Sequence, residues 1–203
     1  PATAVYVGDD GGYNALAFGD LSSSNYSAQI DMYCPDYSGV SGAGGSNFTR
    51  MGMAVRANYI QAPSVDGPSA NTYPMGSYAL LYESSIKTIF AVKFFPLDAS
   101  TDMRHISLAS TVSQVQVVSS QVVSQGWHTL KINANGNRIQ FYVDGSQLGS
   151  DLVDTTNPYL TGNVVLHYRA SNTFDGVAAT DTQAVFDNMS SSPLTSVNDW
   201  TQM

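Results

Sequence analysis

The chain has 203 residues, 43% of them hydrophobic and 11% aromatic, with 12% charged and a formal charge of −8 at pH 7. That charged share is about half the ordinary figure of roughly 25%. So sparse a complement of Lys and Arg (8 in all) excludes a basic nucleic-acid-binding surface, and the aromatic content argues against disorder. Long helical or coiled-coil architectures are also excluded, since they are rich in Glu and Lys and Glu83 is the chain's sole glutamate.

The first segment, Pro1 to Val7, contains the apolar run Ala4-Val5-Tyr6-Val7, and Gly8-Asp9-Asp10-Gly11-Gly12 follows as a hinge. This has the form of a strand able to pair with a sheet edge. Ser27 to Cys34 then alternates, with Ala28, Ile30, Met32 and Cys34 on one face and Ser27, Gln29, Asp31 and Tyr33 on the other. Met51, Met53, Val55, Ala57 and Tyr59 form a second inward row, with Arg56 and Asn58 opposite. Ser77 to Tyr82 and Thr88 to Phe95 read as strands rich in β-branched and aromatic residues, and Val112 to Val123 as one or two more. Trp127 to Ile132, the Asn135-Gly136 turn signal and Arg138 to Val143 make a hairpin, for which a type I′ turn is expected. Asp144-Gly145 turns the chain again into Ser146 to Leu148, and Gly162 to Arg169 and Gln183 to Met189 complete the strands. Residues 35–46, 62–74, 151–159 and 171–182 are rich in Gly, Ser, Asp and Pro and read as loops. About a dozen strands without helices imply an all-β fold of two packed antiparallel sheets, a β-sandwich of jelly-roll type. The expected organisation is one domain over residues 1–203, with an N-terminal arm (1–12) and a C-terminal tail (191–203).

Three runs resemble the concanavalin A-like lectin/glucanase superfamily in its laminin-G-like jelly-roll branch. They are Gly126-Trp127-His128-Thr129-Leu130-Lys131-Ile132 with Ile139-Gln140-Phe141-Tyr142-Val143-Asp144-Gly145, then Gly162 to Tyr168, then Ala184-Val185-Phe186-Asp187-Asn188. The fold hosts lectins, glycosidases, lyases, adhesion modules and scaffold proteins, so it does not fix the function. The superfamily's glucanases carry E-x-D-x-x-E on one strand, and one glutamate cannot supply that motif. An aspartate dyad for polysaccharide hydrolysis or lysis has no motif behind it. No G-x-S-x-G elbow occurs, and His105, His128 and His167 lack metal-ligand spacing. His128 reads as a structural histidine, because it shares a face with Leu130 and Ile132.

The resemblance implies a structural calcium ion between an N-terminal loop and the last strand, where Asp187 meets Asp9, Asp10 or Asp20. Among the tyrosines, Tyr33, Tyr37 and Tyr142 are the candidate glycan platforms, with Tyr73, Tyr82 and Tyr159 as further exposed aromatics. Val5, Tyr6, Val7 and Trp200 are the candidate self-association contacts. Cys34, the single cysteine, allows no internal disulfide. An N-terminus at Pro1, a surface rich in Ser, Thr and Asn, and sequons at Asn25, Asn47 and Asn188 suggest a secreted, glycosylated protein. No apolar run is long enough to span a membrane. The leading expectation is a non-catalytic structural or adhesive protein that associates with copies of itself through its arms and sheet edges. The alternative is a calcium-stiffened glycan-binding module, and the third reading is a polysaccharide hydrolase or lyase.

Overall fold

The computed structural model describes residues 5–8, 13–18, 24–36, 41–42, 45–46, 49–57, 59–61, 72–74, 76–95, 115–170 and 183–193. In chain order the strands are β1 (Val5–Gly8), β2 (Tyr13–Phe18), β3 (Asn25–Cys34), β4 (Ser41–Gly42), β5 (Gly45–Ser46) and β6 (Thr49–Ala57). They continue with β7 (Tyr59–Gln61), β8 (Thr72–Pro74), β9 (Ser77–Glu83), β10 (Thr88–Phe94), β11 (Val115–Val122) and β12 (Gly126–Asn135). The last are β13 (Arg138–Val143), β14 (Ser146–Gln147), β15 (Leu152–Val153), β16 (Asn163–Ala170) and β17 (Gln183–Pro193).

Among the described residues these strands build two main sheets. The first runs β1-β17-β3-β12-β13-β14, with β15 also on β13, and the second runs β11-β10-β9-β6-β16-β2. Every pairing is antiparallel, as expected of the sandwich. Alternation explains the layering. On β3, Tyr26, Ala28, Ile30, Met32 and Cys34 are buried while the residues between them are partly open. They meet Leu130, Ile132, Ile139, Phe141 and Phe186 of the same sheet and Met51, Met53, Leu80 and Leu166 of the other in one core. At roughly 1.5–3 kcal/mol per buried large side chain, this core is the main force closing the sandwich.

The second sheet departs from the simple pattern. β9 and β10 are buried along both faces, and Ala54, Ala79, Leu81, Phe90, Val92 and Val165 form a second apolar cluster on the side away from the main core. Ala57 belongs to this second cluster and not to the inward row with Met51, Met53 and Val55. The reason is Arg56, which has φ 51° and switches the faces of β6. Arg56 is also fully buried rather than outward. Its guanidinium donates to the carbonyls of Ser24, Gly136 and Tyr159, and its backbone N–H donates to the Tyr26 hydroxyl at 2.9 Å. One buried cation thus ties three chain segments together at one end of the sandwich. Gly162 makes room for it: a Cβ there would lie 2.5 Å from the Arg56 carbonyl carbon.

The hairpin turn is also displaced by one residue. Asn135 pairs with Arg138, so the turn residues are Gly136 and Asn137, and of these Gly136 alone has positive φ. That is the signature of a turn with glycine in the first central place, not the expected type I′. The next turn does have both residues at positive φ, Asp144 at 50° and Gly145 at 77°. Short strands β4, β5, β8 and β15 lie within segments expected to be loops. In the N-terminal arm, Val5, Tyr6 and Val7 pair with Phe186, Val185 and Ala184 of the same chain, so β1 is an edge strand of its own first sheet. Strand β17 extends to Pro193, into the expected tail. Asp9, Asp10, Asp20, Tyr37, Asn47, His105 and Trp200 lie outside the described residues.

Candidate functional site

The outer face of the first sheet is where polar and aromatic side chains are left open. Register places them in rows across β17, β3 and β12. Val185, Tyr33 and Trp127 stand abreast, then Asp187, Asp31 and Thr129, then Ser190, Gln29 and Lys131. A β-bulge between Asp187 and Ser190 interrupts β17. It holds Asn188 at φ 49°, a left-handed conformation that asparagine tolerates better than most residues. Bulges re-aim side chains next to binding sites. Here the Asn188 amide swings over β3 and donates to Asp31 Oδ2 at 2.6 Å.

A cavity of about 260 Å³ results, lined by Asp31, Trp127, His128, Thr129, Asp187 and Asn188. Trp127 is 52% exposed and packs edge-on against Tyr33, with ring centroids 5.8 Å apart. Tyr33 is steadied in turn by Gln125, whose amide donates to its hydroxyl at 3.2 Å. Asp31 is fixed from both sides, since the Thr129 hydroxyl donates to Oδ1 at 2.6 Å while Asn188 holds Oδ2. Asp187 Oδ1 accepts the Asn188 N–H at 2.7 Å. Asp31 and Asp187 are direct cross-strand partners, and among the described residues no lysine or arginine lines the cavity. Like charges placed opposite each other cost stability, up to about 1 kcal/mol. Local conflicts of this kind in an otherwise consistent fold concentrate at functional or strained sites.

His128 forms one wall. Its Nδ1 lies 2.7 Å from Asp144 Oδ2 and its Nε2 lies 2.8 Å from the Ser124 carbonyl. Asp144 also accepts the Thr129 N–H at 2.9 Å. The ring is therefore held by two partners and braces the strand that carries Trp127 and Thr129.

Several sequence candidates stand elsewhere. Tyr142 is on the same face but is 8% exposed, so it offers no open platform. Its hydroxyl donates to Gln140 Oε1 at 2.9 Å, and the Lys131 ammonium sits 5.8 Å from its ring centre. Burial, then the nearby Asp151 charge, pushes its hydroxyl pKa upward. Tyr82 is fully buried, with its hydroxyl on the Pro35 carbonyl, and Tyr159 packs on Tyr78. Neither is the exposed aromatic expected. Asn188 is exposed, whereas Asn25 is partly buried and accepts the Gly136 N–H through its side-chain oxygen at 2.9 Å. Cys34 is buried, which raises its thiol pKa, with the Asp144 charge adding to the effect. Among the described residues no group of three His, Cys, Asp or Glu side chains is placed to hold a metal ion.

Among the described residues the other carboxylate and histidine candidates lie on the second sheet. Glu83 is buried there, bound to Arg50 at 3.1 Å and within 3.4 Å of the Ser85 hydroxyl. His167 is 2% exposed. The residue that sequence reasoning missed is Trp127, taken only as part of the hairpin motif. The signal was its parity: Leu130 and Ile132 point inward, so Trp127, Thr129 and Lys131 share the opposite face.

No protein-family model matches the chain, and no curated protein matches its sequence. Solved structures do match. The carbohydrate binding module CBM66 from Bacillus subtilis is similar at 14% identity and TM-score 0.50, covering 94% of this chain and 91% of that one. A Bacillus subtilis protein of unknown function with a galectin-like fold is similar at 12% identity and TM-score 0.51, covering 94% and 81%. The alginate lyase AlyC3 is similar at 9% identity and TM-score 0.53, covering 94% and 74%. These likenesses show the fold: the chain is a two-sheet antiparallel jelly-roll sandwich. Among the described residues no helix is long and apolar enough to cross a membrane.

Proposed function

We propose that the protein is a non-catalytic glycan-binding module, and that the cavity on the first sheet is its binding site. One observation carries this reading: a half-exposed tryptophan, braced by Tyr33, stands beside oriented carboxylates and an amide in a cavity on the face left open. Sugars present an apolar C–H face to an aromatic ring and hydroxyl donors to carboxylate acceptors, and Trp127 with Asp31, Asp187 and Asn188 supplies both. Asp31 reaches the site already engaged by Thr129 and Asn188, so it needs little reorganisation on binding.

Binding is favoured over hydrolysis because the cavity presents acceptors. Both oxygens of Asp31 accept hydrogen bonds, and Glu83 is tied to Arg50 away from it. Likeness to a carbohydrate binding module and to a galectin-like fold supports the glycan reading over the structural one. A calcium ion at Asp187, with Asp9, Asp10 and Asp20 as further ligands, and a secreted location belong to the same proposal. Asp187 supports the ion by setting its carboxylate beside that of Asp31, two oxygen donors of the kind calcium takes.

The test is affinity electrophoresis against a panel of polysaccharides, run beside a reducing-sugar assay on the same substrates. Retardation by at least one polysaccharide without sugar release is the expected result. Sugar release on incubation would replace this reading with a hydrolase or lyase. Melting curves with and without chelator test the ion: a lower Tm with chelator is expected, and an unchanged one removes calcium.

A further inference from the structure

We infer that the cavity in its ion-free state selects glycans by charge, taking a single uncharged or amine-bearing sugar residue and rejecting uronic-acid and sulfated sugars. This rests on the glycan-binding reading above. Three observations lead to it.

The first is size. About 260 Å³ is just under the roughly 300–1,000 Å³ of pockets that take drug-sized ligands, so the cavity suits one sugar ring rather than a run of several. The second is charge. Asp31 and Asp187 face each other across adjacent strands, and among the described residues no lysine or arginine lines the cavity with them. Lys131 is on the same face, one row away, but its ammonium lies against the Tyr142 ring, on the side of β12 opposite to β17. A sugar carboxylate or sulfate would enter as a third negative charge with nothing to pair it. The third is hydrogen-bond polarity. The Thr129 hydroxyl and one hydrogen of the Asn188 amide are engaged by Asp31, and the Asn188 N–H by Asp187, which leaves the second amide hydrogen and the Trp127 indole N–H as neutral donors. The remaining lone pairs of the two carboxylates outnumber them, which suits hydroxyl and ammonium groups as donors and gives an anion no lysine or arginine partner among the described lining residues.

The effect scales with Coulomb interaction, so it weakens as salt screens the cavity mouth. At low ionic strength we expect acidic glycans to bind at least tenfold more weakly than neutral ones of the same linkage.

Isothermal titration with matched pairs tests this. β-1,4-Mannan oligosaccharides are compared with β-1,4-oligomannuronates, α-1,4-galactobiose with α-1,4-digalacturonate, and chitin with chitosan oligosaccharides, each in chelator and at two salt concentrations. The expected result is binding within the neutral or amine-bearing arms, the tenfold deficit for the uronates, and a narrower deficit in Asp187→Asn. Uronates that bind within threefold of their neutral partners overturn the inference and leave the glycan reading standing. A deficit unchanged in Asp187→Asn also overturns it, because the carboxylate pair would then not be the selector. Calcium added back is expected to narrow the deficit, because an ion on Asp187 offsets one charge of the pair, and a deficit that calcium leaves unchanged while raising the Tm overturns the inference. Binding to none of the sugars overturns both readings.

Discussion

Replacing Asp154 by Asn tests how the end of the sandwich is held. Lys93, on β10, places its ammonium 2.6 Å from Asp154 Oδ2, and the two side chains are 3% and 4% exposed. The Tyr78 hydroxyl donates to the same oxygen at 2.6 Å, the Thr156 N–H donates to Oδ1 at 3.1 Å, and Lys93 also donates to the Thr156 carbonyl at 2.9 Å. The substitution keeps the shape and removes the only charge facing a buried ammonium in this network. Breaking a buried pair from one side costs about 3–5 kcal/mol. For a chain of this length each kcal/mol lowers Tm by about 2–4 °C, so a fall of about 6–20 °C at pH 7 is expected. Substituting both partners, as Lys93→Met with Asp154→Leu, leaves no orphan charge and is expected to recover more than half of that loss. The pH dependence gives a second reading. Burial alone would raise the Asp154 pKa, but the hydrogen bonds from Lys93, Tyr78 and Thr156 together outweigh it and hold the carboxyl below its ordinary value. Its contribution is therefore present above the unfolded-state value near 3.9 and is lost as pH falls through the lower folded value. Calorimetric melts of wild type, single and double variants from pH 7 to pH 2.5 check this. A single variant within about 1 kcal/mol of wild type, or a double variant worse than the single, would refute the reasoning.

Gly162→Ala is expected to cost about 2–4 kcal/mol in denaturant melts, because φ is 141° and the new methyl would overlap the Arg56 backbone at 2.5 Å. Gly136→Ala, with φ 53° and open space around it, should cost only about 1–2 kcal/mol, and equal losses would contradict this account of Gly162. Trp127→Ala should leave Tm almost unchanged, within about 0.5 kcal/mol, while weakening glycan binding at least fivefold by affinity electrophoresis. A large stability loss with intact binding would make Trp127 a packing residue instead. Expression in a glycosylating secretory host is expected to modify Asn188, whose amide nitrogen lies in the cavity wall, and to weaken glycan binding by the modified fraction. Equal binding before and after enzymatic deglycosylation, with Asn188 occupancy confirmed by mass spectrometry, would count against the site.

Much of the sandwich is legible from alternation alone. The inward row Ala28, Ile30, Met32 and Cys34 and the return strand Ile139, Phe141 and Val143 are buried as their parity dictates. What parity cannot reveal is a residue that changes it. Arg56 at φ 51° moves Ala57 to the other face, and its burial depends on carbonyls contributed by Ser24, Gly136 and Tyr159, far away in the chain. The double-sided burial of β9 and β10 is likewise a tertiary property, since short apolar runs look alike whether one face or both are covered. For the site, the sequence identifies Tyr33, Asp31 and Asp187 as outward or acidic residues but not as neighbours. Their meeting depends on β17 lying between β1 and β3, and on the bulge that swings the Asn188 amide over β3 on the outer face. Tyr142 misleads for a related reason. Its parity is outward, yet Gln140, Lys131 and the side chains gathered around Asp151 leave little of it open.

Chemical-shift mapping tests the central claim most directly. Uniformly labelled protein is titrated with neutral oligosaccharides to millimolar concentration, and amide and indole resonances are followed. The account predicts saturable shifts centred on the Trp127 indole N–H and the amides of Thr129, Asp187 and Asn188. Shifts centred on the second sheet, around Arg50, Glu83 and His167, would contradict it, as would a spectrum that no sugar moves.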